Sequence, residues 1–210
     1  MINILIVDDH AVVRQGLKKI LSEEPDMVVL DEAESAEQLL EMIGTKKWDI
    51  VILDITMRGK SGLDVLHQLR QEYPQIPILF LSMLPEEQFA VRALQAGAAG
   101  YMTKGAAPED LVKAIRKISA GGKYISSSVA EKLATQLDTG VDQLPHEKLS
   151  EREFQVFTKI ASGKPLTRIG EELNLSVKTV TTYRTRVLEK MTMSSNAELI
   201  RYGIEHKLTE

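Results

Sequence analysis

Short apolar runs recur through the first part of the chain, each closed by polar residues. Asn3–Val7, Met27–Ala33, Ile50–Leu53, Ile78–Leu81 and a short piece at Gly100–Met102 are mostly continuous rather than alternating. That is the pattern of strands covered on both faces in a parallel sheet. Between them apolar residues return at helical spacing: Val13, Leu17, Ile20 and Leu21; Leu39, Leu40 and Ile43; Leu63, Leu66 and Leu69; Leu111, Ile115 and Ile118. Strand and helix alternate five times over this region, which predicts an α/β domain with a five-stranded, doubly wound parallel sheet and right-handed crossovers.

The pattern then changes. A helix is expected over Ser127–Leu137, followed by DTGVDQLPHEK, Asp138–Lys148. This polar stretch holds Gly140 and Pro145 and no apolar period, so it reads as a linker. From Leu149 onward the chain offers only helices. Ser150 with Glu153 fits a capping box, ahead of Phe154, Phe157, Ile160 and Ala161 on one face. Gly163–Lys164–Pro165 ends that helix; Thr167–Leu173, Val177–Met191 and a last helix from Asn196 follow. The expected organisation is an α/β domain over 1–122, a helix and linker over 123–146, and a small all-α domain over 147–210.

Composition narrows the classes. The 210 residues include no cysteine, which excludes disulfides, thiolate metal sites and thiol nucleophiles. No apolar run approaches the ~18 residues of a membrane span, and no secretory signal is visible; a cytoplasmic protein without membrane association is expected. Charge is unevenly shared. Residues 1–145 carry 15 Lys/Arg against 21 Asp/Glu, net −6, whereas residues 146–210 carry 11 against 9, net +2. The weakly basic tail leaves nucleic acid open as a partner.

Candidate chemistry sits at the strand ends. In open parallel sheets ligands bind beyond the carboxyl ends of the strands. Asp8 and Asp9 follow the first strand, Asp54 the third, Ser82 the fourth and Lys104 the fifth. Three carboxylates without histidine or cysteine are expected to form a hard oxygen site suited to Mg2+, and a cation would relieve the repulsion between Asp8 and Asp9. In the tail, two helices joined by Asn174–Leu175–Ser176 have the proportions of a helix-turn-helix. Ser176 is a natural N-cap, and Ile169, Leu173, Val180, Val187 and Met191 supply an apolar seam. Lys178, Thr179, Thr181, Thr182, Tyr183, Arg184 and Arg186 remain for a polar face that fits the DNA major groove.

IVDDH, VILDITM, LFLSM and GYMTKGA, in this order, resemble the receiver domain of bacterial response regulators over residues 1 to about 122. LSEREFQVF, IASGK, IGEELNLSVKTV, RVLEKM and AELIRYGI resemble the LuxR-type helix-turn-helix of the NarL/FixJ regulators over about 147–210. The first resemblance implies that Asp54 accepts a phosphoryl group from a sensor histidine kinase. It also implies Mg2+ held by Asp8, Asp9, Asp54 and the Thr56 backbone carbonyl. Lys104 and Ser82 would meet the phosphoryl group, and Tyr101 would turn inward as a switch. The second implies a recognition helix at Val177–Met191. Lys178, Thr179, Thr182 and Arg186 would meet base edges or phosphate, Tyr183 and Arg184 phosphate. Leu199, Tyr202 and Gly203 would form a dimer surface, with double-stranded DNA bound by a homodimer at paired half-sites. Together the resemblances imply a phosphorylation-controlled transcriptional regulator, and no enzymatic activity is expected. Departures from family pattern are Arg58 in place of proline, Met83 after Ser82, Thr181 where lysine is common and Tyr183 where histidine is common.

Other readings meet specific objections. An aspartyl-phosphate phosphohydrolase needs a D-x-D acid pair after the nucleophile's strand and usually a cap domain. A flavodoxin-like electron carrier needs a Ser/Thr/Gly-rich phosphate loop where DHAVVRQG stands. A helical tail that binds protein rather than DNA stays open on the residues alone.

Overall fold

The computed structural model describes residues 1–57, 62–84, 86–131, 144–206 and 208. The chain forms two compact units, Met1–Thr139 and Gly140–Glu210. In the first, strands β1 (Ile2–Val7), β2 (Met27–Ala33), β3 (Ile50–Leu53), β4 (Ile78–Ser82) and β5 (Gly100–Thr103) alternate with helices α1 (Ala11–Ser22), α2 (Ala36–Met42), α3 (Gly62–Glu72), α4 (Glu86–Gln95) and α5 (Pro108–Ser119). The sheet order is β2-β1-β3-β4-β5, and every pairing is parallel.

The apolar runs are continuous because both faces of the sheet are covered. Ile4, Ile6, Ile50, Ile52, Leu79 and Leu81 share one core with Leu17 and Leu21 of α1 and Leu111, Ile115 and Ile118 of α5. Their strand neighbours Leu5, Val7, Val51, Leu53 and Phe80 are equally buried and point to the opposite face. β1, β4 and β5 each run one residue beyond the apolar pattern at one end. The ladder needs only backbone groups, and the polar pair Ser82–Thr103 continues it.

The second unit holds α6 (Glu151–Ala161), α7 (Leu166–Leu173), α8 (Val177–Met191) and α9 (Asn196–Glu205). Ser150 and Glu153 form the capping box in full, and the Ser176 side chain accepts from the Thr179 N–H at the start of α8. Ile169, Leu173, Val180, Val187 and Met191 are buried. The turn between α7 and α8 is fixed by two backbone requirements. Asn174 takes the left-handed conformation at φ 54°, which asparagine tolerates. A Cβ at Gly170 would lie 2.7 Å from the Leu175 carbonyl oxygen, so only glycine lets the turn fold back this closely.

Two expectations on the connecting segment are revised or left aside. Pro145–Lys148, read as linker, forms a 3-10 turn, held where His146 Nδ1 meets the Tyr202 hydroxyl at 2.8 Å. Helix is present at 127–131, and the rest of the expected Ser127–Leu137 helix lies outside the described residues, as does Arg58.

Candidate functional site

Strand register gathers the polar residues of the first unit. Val7 pairs with Leu53 and Leu53 with Phe80, while Ser82 pairs with Thr103. Asp8 and Asp54 therefore leave the sheet side by side, with Ser82 and Lys104 at the next strand ends. Backbone bonds lock these exits: Asp8 N–H donates to Ala33 O at 3.1 Å, Asp54 N–H to Val7 O at 2.9 Å and Lys104 N–H to Ser82 O at 2.8 Å. Gly62 lets α3 begin against this loop. A Cβ there would stand 2.4 Å from the Asp54 carbonyl oxygen.

The charges meet at Lys104. Its Nζ lies 2.7 Å from Asp8 Oδ2 and 2.7 Å from Asp54 Oδ2, with the lysine side chain only 7% exposed. Asp54 Oδ1 accepts from the Thr56 N–H at 3.1 Å. Burial, together with the Asp8 charge, outweighs Lys104 and raises the Asp54 carboxyl above its ordinary range. Burial opposes the Lys104 charge, but its bonds to Asp54 and Asp8 prevail and raise it. Burial is the dominant cause at Asp54, whereas at Lys104 the two carboxylates overcome burial. Asp9 adds a third carboxylate, and oxygens of Asp8, Asp9 and Asp54 with a ring nitrogen of His10 lie within 4.8 Å of one another. Three carboxylates and one ammonium leave two negative charges, which is the complement of a divalent cation.

Two further residues brace the acidic loop. His10 Nδ1 lies 3.1 Å from Asp8 Oδ1 and 2.8 Å from Asp9 Oδ1. Arg14 donates to the Asp8 carbonyl at 2.7 Å and leans on Glu32 at 3.4 Å. The sequence reading missed both. His10 adjoins the acid pair, yet only the turn into α1 swings its ring back over them. Ser82 is fully buried, its Oγ accepting from the Leu84 N–H at 3.3 Å. Tyr101 is already inward, 1% exposed, with its hydroxyl donating to the Leu84 carbonyl at 2.8 Å. Met83 is 77% exposed beside them.

On α8 the seam side is buried, and Lys178, Thr181, Thr182, Thr185 and Arg186 are exposed. Thr179 and Tyr183 are half-buried. Arg184 is half-buried too, and its Nε donates to Asn196 Oδ1 at 2.6 Å, which ties the recognition candidate to the start of α9. Lys190 pairs with the capping-box Glu153 at 2.6 Å.

Residues 4–116 match the family described as response regulator receiver domain, and residues 147–203 the bacterial regulatory proteins of the luxR family. The chain belongs to the response regulators. It is 37% identical over 209 residues to the response regulator UvrY of Escherichia coli, covering 99% of this chain and 96% of that one. To GacA of Pseudomonas viridiflava it is 39% identical over 211 residues, covering 100% and 99%. Among solved structures, RcsB of Salmonella enterica serovar Typhimurium, bound to a promoter with the phosphomimetic BeF3−, superposes with TM-score 0.60 at 26% identity. That likeness covers 96% of this chain and 97% of that one. This response regulator thus joins a receiver fold to a LuxR-type DNA-binding domain, as a transcriptional regulator.

The α9 residues expected at a dimer surface of this response regulator are partly or wholly buried within the single chain. Leu199 and Gly203 are buried in α9's packing side, and Tyr202 is half-buried with its ring 4.1 Å from His206 and its hydroxyl on His146. In the single chain these residues take part in the packing of the unit. The outward side of α9 carries Ala197, Arg201 and Ile204, the last 62% exposed. Among the described residues no helix is long and apolar enough to cross a membrane.

Proposed function

We propose that residues 1–122 accept a phosphoryl group on Asp54 from the phosphohistidine of a sensor kinase, and that 147–210 bind double-stranded DNA in response. The observation that carries this reading is the ammonium of Lys104 at 2.7 Å from both Asp54 and Asp8. A phosphoryl group brings negative charge to a buried carboxylate, and a positioned cation offsets that repulsion. The donor set suits a divalent metal: Asp8, Asp9 and Asp54, with the Thr56 carbonyl, would hold Mg2+. When bound, the metal supplies further neutralisation of charge on the transferring group. Asp54 is the nucleophile; as its oxygen bonds phosphorus, the phosphorus–nitrogen bond of the donor breaks. The Thr56 N–H orients the carboxylate, and Lys104 exchanges its carboxylate contact for the new phosphoryl oxygens. The Ser82 hydroxyl, now occupied by Leu84, becomes a donor to the same oxygens.

Phosphorylation then shifts a population between two states of the chain rather than creating one. The responding state is a homodimer on paired half-sites about one helical turn apart or a multiple of it, in the cytoplasm. Lys178, Thr179, Thr182, Tyr183, Arg184 and Arg186 are the DNA-facing candidates. The Arg184–Asn196 bond fixes one of them before DNA arrives. The inward Tyr101 argues for Ser82 and the Leu84 loop, rather than the tyrosine ring, as the element that moves first.

The test is direct. Full-length protein with Mg2+ and a small phosphodonor should gain one phosphoryl group by mass and bind duplex DNA more tightly. Asp54→Ala should abolish the mass gain with unchanged far-UV circular dichroism. A native chain that stays unlabelled beside a labelled control receiver would overturn the proposal.

A further inference from the structure

The recognition candidate α8 carries four threonines, Thr179, Thr181, Thr182 and Thr185, and each hydroxyl is already engaged. Thr181 donates to the Val177 carbonyl at 2.8 Å, Thr182 to the Lys178 carbonyl at 3.1 Å and Thr185 to the Thr181 carbonyl at 3.1 Å. Thr179 meets Ser176 at 2.7 Å within the N-cap. A hydroxyl has one proton to give. On Thr181, Thr182 and Thr185 it is spent on the helix, and the outward face is left with methyl groups and oxygen lone pairs. Val177, 46% exposed, heads the row Val177–Thr181–Thr185, which runs beside the row Lys178–Thr182–Arg186. The exposed side of α8 is therefore split into an apolar, acceptor-only strip and a strip that begins and ends in a cation.

Base edges respond differently to such a strip. Guanine shows only acceptors in the major groove, which a spent hydroxyl cannot satisfy, and its cytosine partner offers an amino donor but no methyl group. An A·T pair shows the thymine methyl and the adenine amino donor, which match a methyl and a lone pair. We propose that Val177, Thr181 and Thr185 are specificity-determining residues that read thymine methyl groups, so that each half-site places A·T pairs opposite this strip. The inference rests on the reading of α8 as the DNA-facing helix. It also gives Thr181 a role where lysine is common: a sequence-blind charge is replaced by a methyl contact.

The experiment selects bound duplexes from a random-sequence pool with the full-length protein, then remakes the enriched duplex with deoxyuridine for thymidine, which removes only the methyl group. A shuffled duplex with the same replacement controls for duplex shape. Native protein should lose roughly three- to five-fold in affinity per contacted methyl group. Thr181→Ser and Thr185→Ser, which keep the hydroxyl, should show a similar loss on the thymidine duplex and little further loss on deoxyuridine. Thr181→Val and Thr185→Val, which keep the methyl, should bind within about two-fold of native. An enriched duplex indifferent to deoxyuridine, or valine variants that lose what serine variants keep, overturns the inference and leaves the DNA-binding role standing. Failure to enrich any sequence overturns both.

Discussion

The two functional regions of this response regulator are built on opposite plans. The acidic site is assembled from strand ends far apart in sequence, Lys104 reaching Asp54 across 50 residues, and its charges are buried. The polar side of α8, proposed to face DNA, comes from one 15-residue helix, and Lys178, Thr181, Thr182, Thr185 and Arg186 on it are exposed. The difference has an energetic meaning. Charges withdrawn from water interact strongly and are costly when unpaired, whereas charges left in water interact weakly and can be exchanged. Chemistry at a single atom calls for the first arrangement. Recognition that tolerates sequence change in its partner is served by the second.

The contrast breaks most visibly at the two cations that typify it. Without divalent metal, Lys104→Met leaves the Asp8 and Asp54 carboxylates buried and uncompensated, and should cost the α/β unit about 3–5 kcal/mol. Arg186→Met on exposed α8 should change stability by less than about 0.5 kcal/mol. Trp48 is the sole tryptophan, buried in the α/β unit. Urea unfolding followed by its fluorescence reports that unit selectively, and far-UV circular dichroism follows both. Equal losses for the two variants would dissolve the distinction.

Next in size are two glycines that do the same steric work in different regions. Gly62→Ala sets a Cβ against the Asp54 carbonyl, and Gly170→Ala sets one against the Leu175 carbonyl in the helix-turn-helix. Each should cost about 1–3 kcal/mol, the usual range for overpacking. Their functional effects should cross. Gly62→Ala slows phosphoryl labelling while leaving basal DNA affinity near native, and Gly170→Ala does the reverse. Labelling rates and DNA titrations on both variants check this, and loss of both activities in either variant would refute it.

How much of each region could be read from sequence follows the same division. The seam Ile169–Leu173–Val180–Val187–Met191 and the Ser176 cap were legible because a helix writes its faces at fixed spacing. Asp8, Asp54, Ser82 and Lys104 were legible because continuous apolar runs ended at them and parallel topology puts such ends together. The Lys104 bridge between two carboxylates was not, since side-chain reach decides it. His10 and Arg14 escaped notice because each acts across a turn or a loop on a neighbour that periodicity does not mark. That Leu199 and Gly203 are buried within the single chain was not legible, because packing against α6 decides it.

A smaller effect tests the exposed region by salt. Arg186→Ala should weaken DNA binding across sequences and make the slope of log affinity against log salt shallower by about 1, as expected for one lost phosphate contact. A slope unchanged from native, measured by titration between low and physiological salt, would place Arg186 off the backbone.

The smallest effect concerns the sign of acid titration. Glu172 accepts from Lys159 Nζ at 2.8 Å and from Lys164 Nζ at 2.9 Å, and these ammonium groups, Lys159 first, lower its carboxyl to about 2. Its folded-state value is depressed below the ordinary glutamate value of about 4.3. The stability it contributes is therefore complete above that value and lost as pH falls from there toward about 2. Asp54 is displaced the other way, raised chiefly by burial, so in metal-free protein its contribution is present at low pH and lost as pH rises through its folded value. Glu172→Gln should cost under about 1 kcal/mol at neutral pH, because the pair is partly solvated, and nothing near pH 2. Asp54→Asn should stabilise the α/β unit at neutral pH and lose that advantage in acid. Both differences are read from urea midpoints over a pH series. Parallel pH trends in the two variants would mean that burial, and not pairing, governs acidic groups in both units.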